Sequence, residues 1–188
     1  MALTLERHSF QLEEVFNRAF LHAFNTRLIG GADEPVYLPS TAAGEPHRLY
    51  YREDYFSSAL HEIAHWCIAG EERRKLVDFG YWYNPDGRTA IQQKAFEQVE
   101  VKPQALEWIF SIACGIRFRV SADNLSSADT QAQGPSDQFL RAVEQQAVSY
   151  CDSGLAPRAD IFVGALSRYF GCANVLQAEH YHSGLTLG

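Results

Sequence analysis

The chain has no run of lysine or arginine long enough to follow a phosphate backbone, and its 23 acidic against 16 basic residues leave a formal charge of -7. With a pI near 5.5, a nucleic-acid-binding surface is not expected, and a cationic or neutral partner suits the chain better. No apolar run approaches the roughly 20 residues of a membrane span. The N-terminus carries Glu6 and no long apolar stretch, so it lacks the architecture of a secretory signal, and a cytoplasmic location is expected. Cysteine is scarce: Cys67, Cys114, Cys151 and Cys172 are scattered without a CxxC pair and read as reduced thiols, not as a disulfide frame. There is no internal repeat and no low-complexity segment.

What the chain does have is 188 residues at 46% hydrophobic content, enough for one compact domain with a substantial core over residues 1–188. Its most informative stretch is His61-Glu62-Ile63-Ala64-His65. Two imidazoles four residues apart on a helix leave from one face and can grip a single metal ion. The flanking residues from Tyr55 to Ala69 are otherwise mostly apolar or small, which predicts a buried helix capped by Asp54 and ended by Gly70. The bland alternative is a chance motif whose histidines are hydrogen-bonded in the core.

Helical spacing recurs elsewhere. Leu12, Val15, Phe16, Ala19, Phe20 and Ala23 predict an amphipathic helix over Phe10 to Phe24. Gly30-Gly31, Pro35, Pro39 and Pro46 punctuate the next stretch, leaving Val36-Tyr37-Leu38 as the best strand and a small sheet as the expectation. The run Glu71 to Lys75 reads as a solvated turn or short helix, to which no function is assigned. Phe79, Tyr81, Trp82 and Tyr83 then cluster ahead of the turn Asn84-Pro85-Asp86-Gly87. Such a loop can hold an alkylammonium group by cation–π contact with Tyr81, Trp82 and Tyr83 and a carboxylate from Asp78 or Asp86. On sequence alone the favoured reading is the plainer one, a strand and turn whose rings are ordinary core. Residues 120–135 are polar and predict a flexible loop, helices are expected over Gln138 to Tyr150 and Ile161 to Phe170 with Pro157 between them, and residues 183–188 form a frayed tail.

Two histidines need a further protein ligand, and the helix-like stretch Thr89 to Cys114 offers Glu97, Glu100 and Glu107. At about 100° per residue, Phe96, Val99, Pro103, Leu106, Phe110 and Ala113 form one apolar stripe. Glu97 lies roughly 150° from its centre, Glu100 about 95° and Glu107 about 75°. Glu97 is the poorest candidate. Pro103 removes a helical hydrogen bond and clashes with the Val99 carbonyl, so a kink or restart beside Glu100 is expected, able to aim that carboxylate inward. Glu107 stays a rival, as ligand or as an outer partner to a histidine.

Two neutral imidazoles and one carboxylate leave coordination positions open, as catalysis requires. With zinc, Glu62 would activate a bound water, the arrangement of a small peptidase or amidase. With Fe(II), the same ligands serve O₂ chemistry and hydroxylation. Spacing does not choose between them.

The segments HEIAHWCIAG (His61 to Gly70), LVDFGYWYNPDGR (Leu76 to Arg88) and FEQVEVKPQALEW (Phe96 to Trp108), with FNTRLI and DEPVYLP upstream, closely resemble the bacterial elongation factor P hydroxylase family, the EpmC or YfcM type. The likeness covers most of residues 10 to 125. It implies a metal-dependent hydroxylase that acts on a lysine of elongation factor P already carrying a β-lysyl group, with no nucleic-acid or membrane partner. It also implies metal ligation by His61, His65 and Glu100, iron as the working metal (zinc or another divalent ion being possible as purified) and O₂ as cosubstrate, the reductant being unspecified. Glu62 would then orient water or relay a proton. A metal-holding binding module for elongation factor P, without turnover, is the third reading. The fold expected is α+β, a helix-rich single domain with a small sheet and HExxH on a buried helix, loosely zincin-like.

Overall fold

The computed structural model describes residues 7–79, 88–121 and 135–182. The fold is α+β: helix-rich, with one three-stranded sheet. The chain divides into two compact units, Met1–Gly80 and Tyr81–Gly188. No helix among the described residues is long and apolar enough to cross a membrane. The expected loop over 120–135 and the tail over 183–188 lie almost wholly outside the described residues.

The first unit holds α1 (Ser9–Phe20), β1 (Thr26–Ala32), β2 (Val36–Leu38), β3 (His47–Arg52) and α2 (Phe56–Ile68). β3 is the central strand, parallel to β1 and antiparallel to β2. β2 is the strand that local sequence predicts. β1 and β3 were not expected as strands, because their pairing is non-local and Gly30-Gly31 reads as a turn. The register between β1 and β3 shifts between Ile29 and Ala32. Gly31 sits there with φ +83°, a conformation that favours glycine.

The free edge of β1 is covered by α1. Asn17 accepts from the Leu28 amide at 2.9 Å and donates to its carbonyl at 3.4 Å, while Glu13 Oε1 accepts from the Gly30 amide at 3.2 Å. Residues four apart on a helix thus meet residues two apart on a strand, and the edge is left with fewer open groups for a foreign strand. β2 protects its own edge differently. Tyr37 exchanges backbone bonds with Asp78 at 2.7 and 3.0 Å. Pro35 and Pro39, which share its alternation along the strand, have no N–H to offer.

α2 packs on β3 and α1. Trp66 meets Phe16, Phe20 and Phe24 with ring centroids 5.1, 4.9 and 5.8 Å away. Ala59, Leu60, Ile63, Ala64 and Cys67 are buried with it. The helix is buried as its composition predicts, but Asp54 does not cap it. Tyr55 holds the N-cap position without a side-chain bond, and Ala69 turns the chain out at the other end, before Gly70. Asp54 stands one residue too far from the first helical turn to reach its free amides.

The second unit is built from α3 (Ala90–Ala113), α4 (Asp137–Ser153) and α5 (Pro157–Phe170). Thr89 opens α3 with a capping box to Gln92. The helix runs unbroken through Pro103, so the expected restart does not occur: one missing hydrogen bond is outweighed by burial of nearly every residue from Pro103 to Ala113. The wheel is displaced too. Val99, put on the core stripe, is 49% exposed, while Glu100 and Glu107 are buried. Beyond Pro103 α3 is covered on most sides, so a single stripe no longer describes it. Pro157 is the first residue of α5 and not merely a separator.

Candidate metal centre

In α2 the four-residue spacing does what helical geometry requires. The rings of His61 and His65 lie with centroids 4.7 Å apart and their Nε2 atoms 3.1 Å apart, both side chains half-buried. Two ligand nitrogens each about 2.1 Å from one metal ion stand roughly 3.0–3.4 Å apart for angles between a right angle and the tetrahedral value. The pair therefore fits one ion. For both rings to offer Nε2, each must carry its proton on Nδ1.

Glu62 is 7% exposed and belongs to the neighbouring stripe of the same helix. With His65, Trp66 and Ala69 it lines a recess that Tyr37, Arg73, Arg74 and Asp78 also line. Arg73, within a charged run to which the sequence assigned no function, grips the Asp78 carboxylate with both ends of its fork, Nε to Oδ2 at 2.5 Å and Nη2 to Oδ1 at 2.8 Å. Tyr37 Oη donates to the Arg74 carbonyl at 3.1 Å. The signal that could have found this arrangement is the five-residue spacing of opposite charges flanking a turn, which is too common to be read alone.

In the second unit, Glu100 is 2% exposed in the first half of α3. Gln104 Nε2 donates to its Oε2 at 3.4 Å, a long bond, and to the Ser121 carbonyl at 2.5 Å, while the Ser121 amide donates back to Gln104 Oε1 at 3.1 Å. A buried amide side chain thus ties the residue after Val120 to the turn that carries Glu100, a role that sequence reasoning missed. Glu107 is also buried at 7% exposure. Glu97 accepts from the Ser136 amide and hydroxyl at 3.1 and 2.7 Å. It steadies the N-terminus of α4, where Ser136 Oγ caps the Phe139 amide. Arg88 is buried, donating to Gln93 at 2.8 Å with its guanidinium 4.0 Å above the Phe96 ring. Tyr81, Trp82, Tyr83 and Asp86 lie outside the described residues.

Comparison with known proteins adds family to this geometry. The family model described as elongation factor P hydroxylase matches residues 15–181. A curated relative from Haemophilus influenzae, named elongation factor P lysine hydroxylase, is 49% identical over 156 residues, which cover 83% of this chain and 85% of the relative. A match of that length and identity, running through both histidines, Glu62 and Glu100, leaves one assignment: the chain belongs to the elongation factor P hydroxylase family.

Proposed function

We propose that this chain is an iron- and oxygen-dependent hydroxylase of the β-lysylated lysine of elongation factor P, with His61, His65 and Glu100 as its metal ligands. The observation that carries the reading is the pair of Nε2 atoms 3.1 Å apart on α2 in a chain of this family. Glu100 is preferred over Glu107 as the carboxylate because the family likeness puts the ligand in the VEVKP word. Burial does not separate the two, since both are covered.

Bound there, Fe(II) supplies the activation of O₂ that an aliphatic C–H bond demands. The overall change takes one C–H bond and O₂, with two electrons from a reductant and two protons, to a C–OH group and water. The protein's part is to orient and exclude. As ligands, His61 and His65 would be neutral imidazoles offering Nε2. Glu62, buried beside His65, orients water or passes a proton to the reacting oxygen. Tyr81, Trp82, Tyr83 and Asp86 form our candidate grip for the long cationic β-lysyl-lysine arm.

Reconstitution tests this directly. Purified protein with Fe(II), a reductant and β-lysylated elongation factor P is expected to add one oxygen atom to the modified lysine in air and none under argon. His61→Ala should lose both metal and product. Glu62→Gln should keep the metal and lose about 10²–10⁴-fold in rate, the range of a general acid–base group. Oxygen-independent hydrolysis of a peptide or amide, abolished in Glu62→Gln, would overturn the proposal in favour of a zinc hydrolase.

A further inference from the structure

We propose that Asp78 is a positioning residue: with Arg73 and Tyr37 it forms a latch that fixes the segment leading into Tyr81-Trp82-Tyr83, and its carboxylate is not the group that meets the substrate's cation. The consequence for catalysis rests on the hydroxylase reading above; the latch itself does not.

Three ties converge on one short segment. The Asp78 backbone exchanges both hydrogen bonds with Tyr37. The carboxylate takes the Arg73 guanidinium in a two-point fork, a geometry that a point charge such as an ammonium cannot reproduce. Tyr37 Oη closes the circuit on the Arg74 carbonyl. Apolar burial contributes little here, since Leu76, Val77 and Phe79 are 63, 54 and 48% exposed. The polar ties therefore decide where residues 76–79 run. Pro35 and Pro39 sharpen the register, because Tyr37 presents an outward N–H between them and it goes to the Asp78 carbonyl.

The placement matters because the latch residues line the same recess as Glu62 and His65, and the chain after Phe79 continues directly into the aromatic stretch. With both Asp78 oxygens engaged and their charge offset by the Arg73 guanidinium, a substrate ammonium gains little there. Asp78 instead sets the starting point of the segment proposed to receive that ammonium, so its loss should weaken substrate capture more than turnover.

The experiment compares Asp78→Asn, Arg73→Gln and the exchange pair Arg73→Asp with Asp78→Arg. Hydrogen exchange at the Tyr37 and Asp78 amides reads the latch without any activity. Protection should fall about tenfold in each single variant and largely return in the exchanged pair, because local opening sets the exchange rate. With β-lysylated elongation factor P, KM should rise about tenfold in each single variant and recover in the pair, with kcat and iron content within about twofold of the parent. Unchanged amide protection in both single variants would overturn the latch. So would an exchanged pair worse than either single variant, or a KM that moves in Asp78→Asn but not in Arg73→Gln, since both assign the substrate's cation to Asp78. If Asp78→Asn fails to fold, Arg73→Lys, which keeps the charge and loses the fork, carries the same test. Absence of hydroxylation in the parent chain would remove the hydroxylase reading while leaving the exchange data to decide the latch.

Discussion

Tyr51 shows how one side chain joins three elements of the first unit. Its hydroxyl donates to Glu13 Oε1 at 2.7 Å, the same oxygen that accepts from the Gly30 amide. Burial first, and then Glu13, push the phenol from its ordinary value of 10.0 up to about 12, against an opposing bond from Ser9. The sign follows from linkage. Below pH 10 the phenol is neutral in folded and unfolded chains alike and its contribution is complete. As the pH rises from 10 to 12 the unfolded chain gives up its proton first, so stability falls across that window. Tyr51→Phe should cost about 0.5–1.5 kcal/mol at neutral pH, the range for one hydrogen bond, and should flatten the loss between pH 10 and 12. Urea unfolding at pH 7 and across the alkaline range measures both. Burial also raises the Tyr181 phenol, so a residual alkaline slope is expected in the variant, and the informative quantity is the difference from the parent.

Among elements, α2 and the helices of the second unit were legible in advance because their apolar residues repeat at the helical period over a dozen residues or more. The HExxH helix was expected over Tyr55 to Ala69 and spans Phe56–Ile68; α3 was expected over Thr89 to Cys114 and spans Ala90–Ala113. The strands were legible only where turn residues bracket them, as the prolines bracket β2. β1 was hidden because its glycines serve a bulge and a close approach, which a local reading takes for a turn. A methyl group at Gly30 would stand 2.5 Å from Tyr51 Oη and 2.6 Å from Cζ, on a ring that is itself buried. Gly30→Ala is therefore expected to destabilise by about 1–3 kcal/mol, as overpacking does, with the loss only partly relieved when Tyr51→Phe removes the hydroxyl, because the ring carbon at 2.6 Å stays. Thermal unfolding of the two single variants and the double variant checks this coupling. The placement of the candidate residues on α2 was legible to the same degree as the helix. His61, Glu62 and His65 follow from period and spacing alone, whereas the Arg73–Asp78 fork and the Gln104–Ser121 tie depend on contacts that no single element encodes.

For the whole molecule, the excess of acidic residues suits the cationic side chain that the proposed reaction requires. The family likeness spans residues 15–181 and so includes α4 and α5, to which no chemical role was given from sequence. The contacts they make with α3 are structural: Ser136 and Glu97 fix the start of α4 against α3, and Phe162 packs edge-on against Phe110 at 5.0 Å. The proposed reaction adds oxygen to the modified lysine of elongation factor P by means of His61 and its partner ligands. The most direct measurement is the mass of that lysine-bearing peptide from cells lacking this chain and from the same cells given back either the parent chain or His61→Ala. One oxygen atom fewer is expected in the deficient cells, restored by the parent chain and not by His61→Ala. An unchanged mass throughout, or full restoration by His61→Ala, would contradict it.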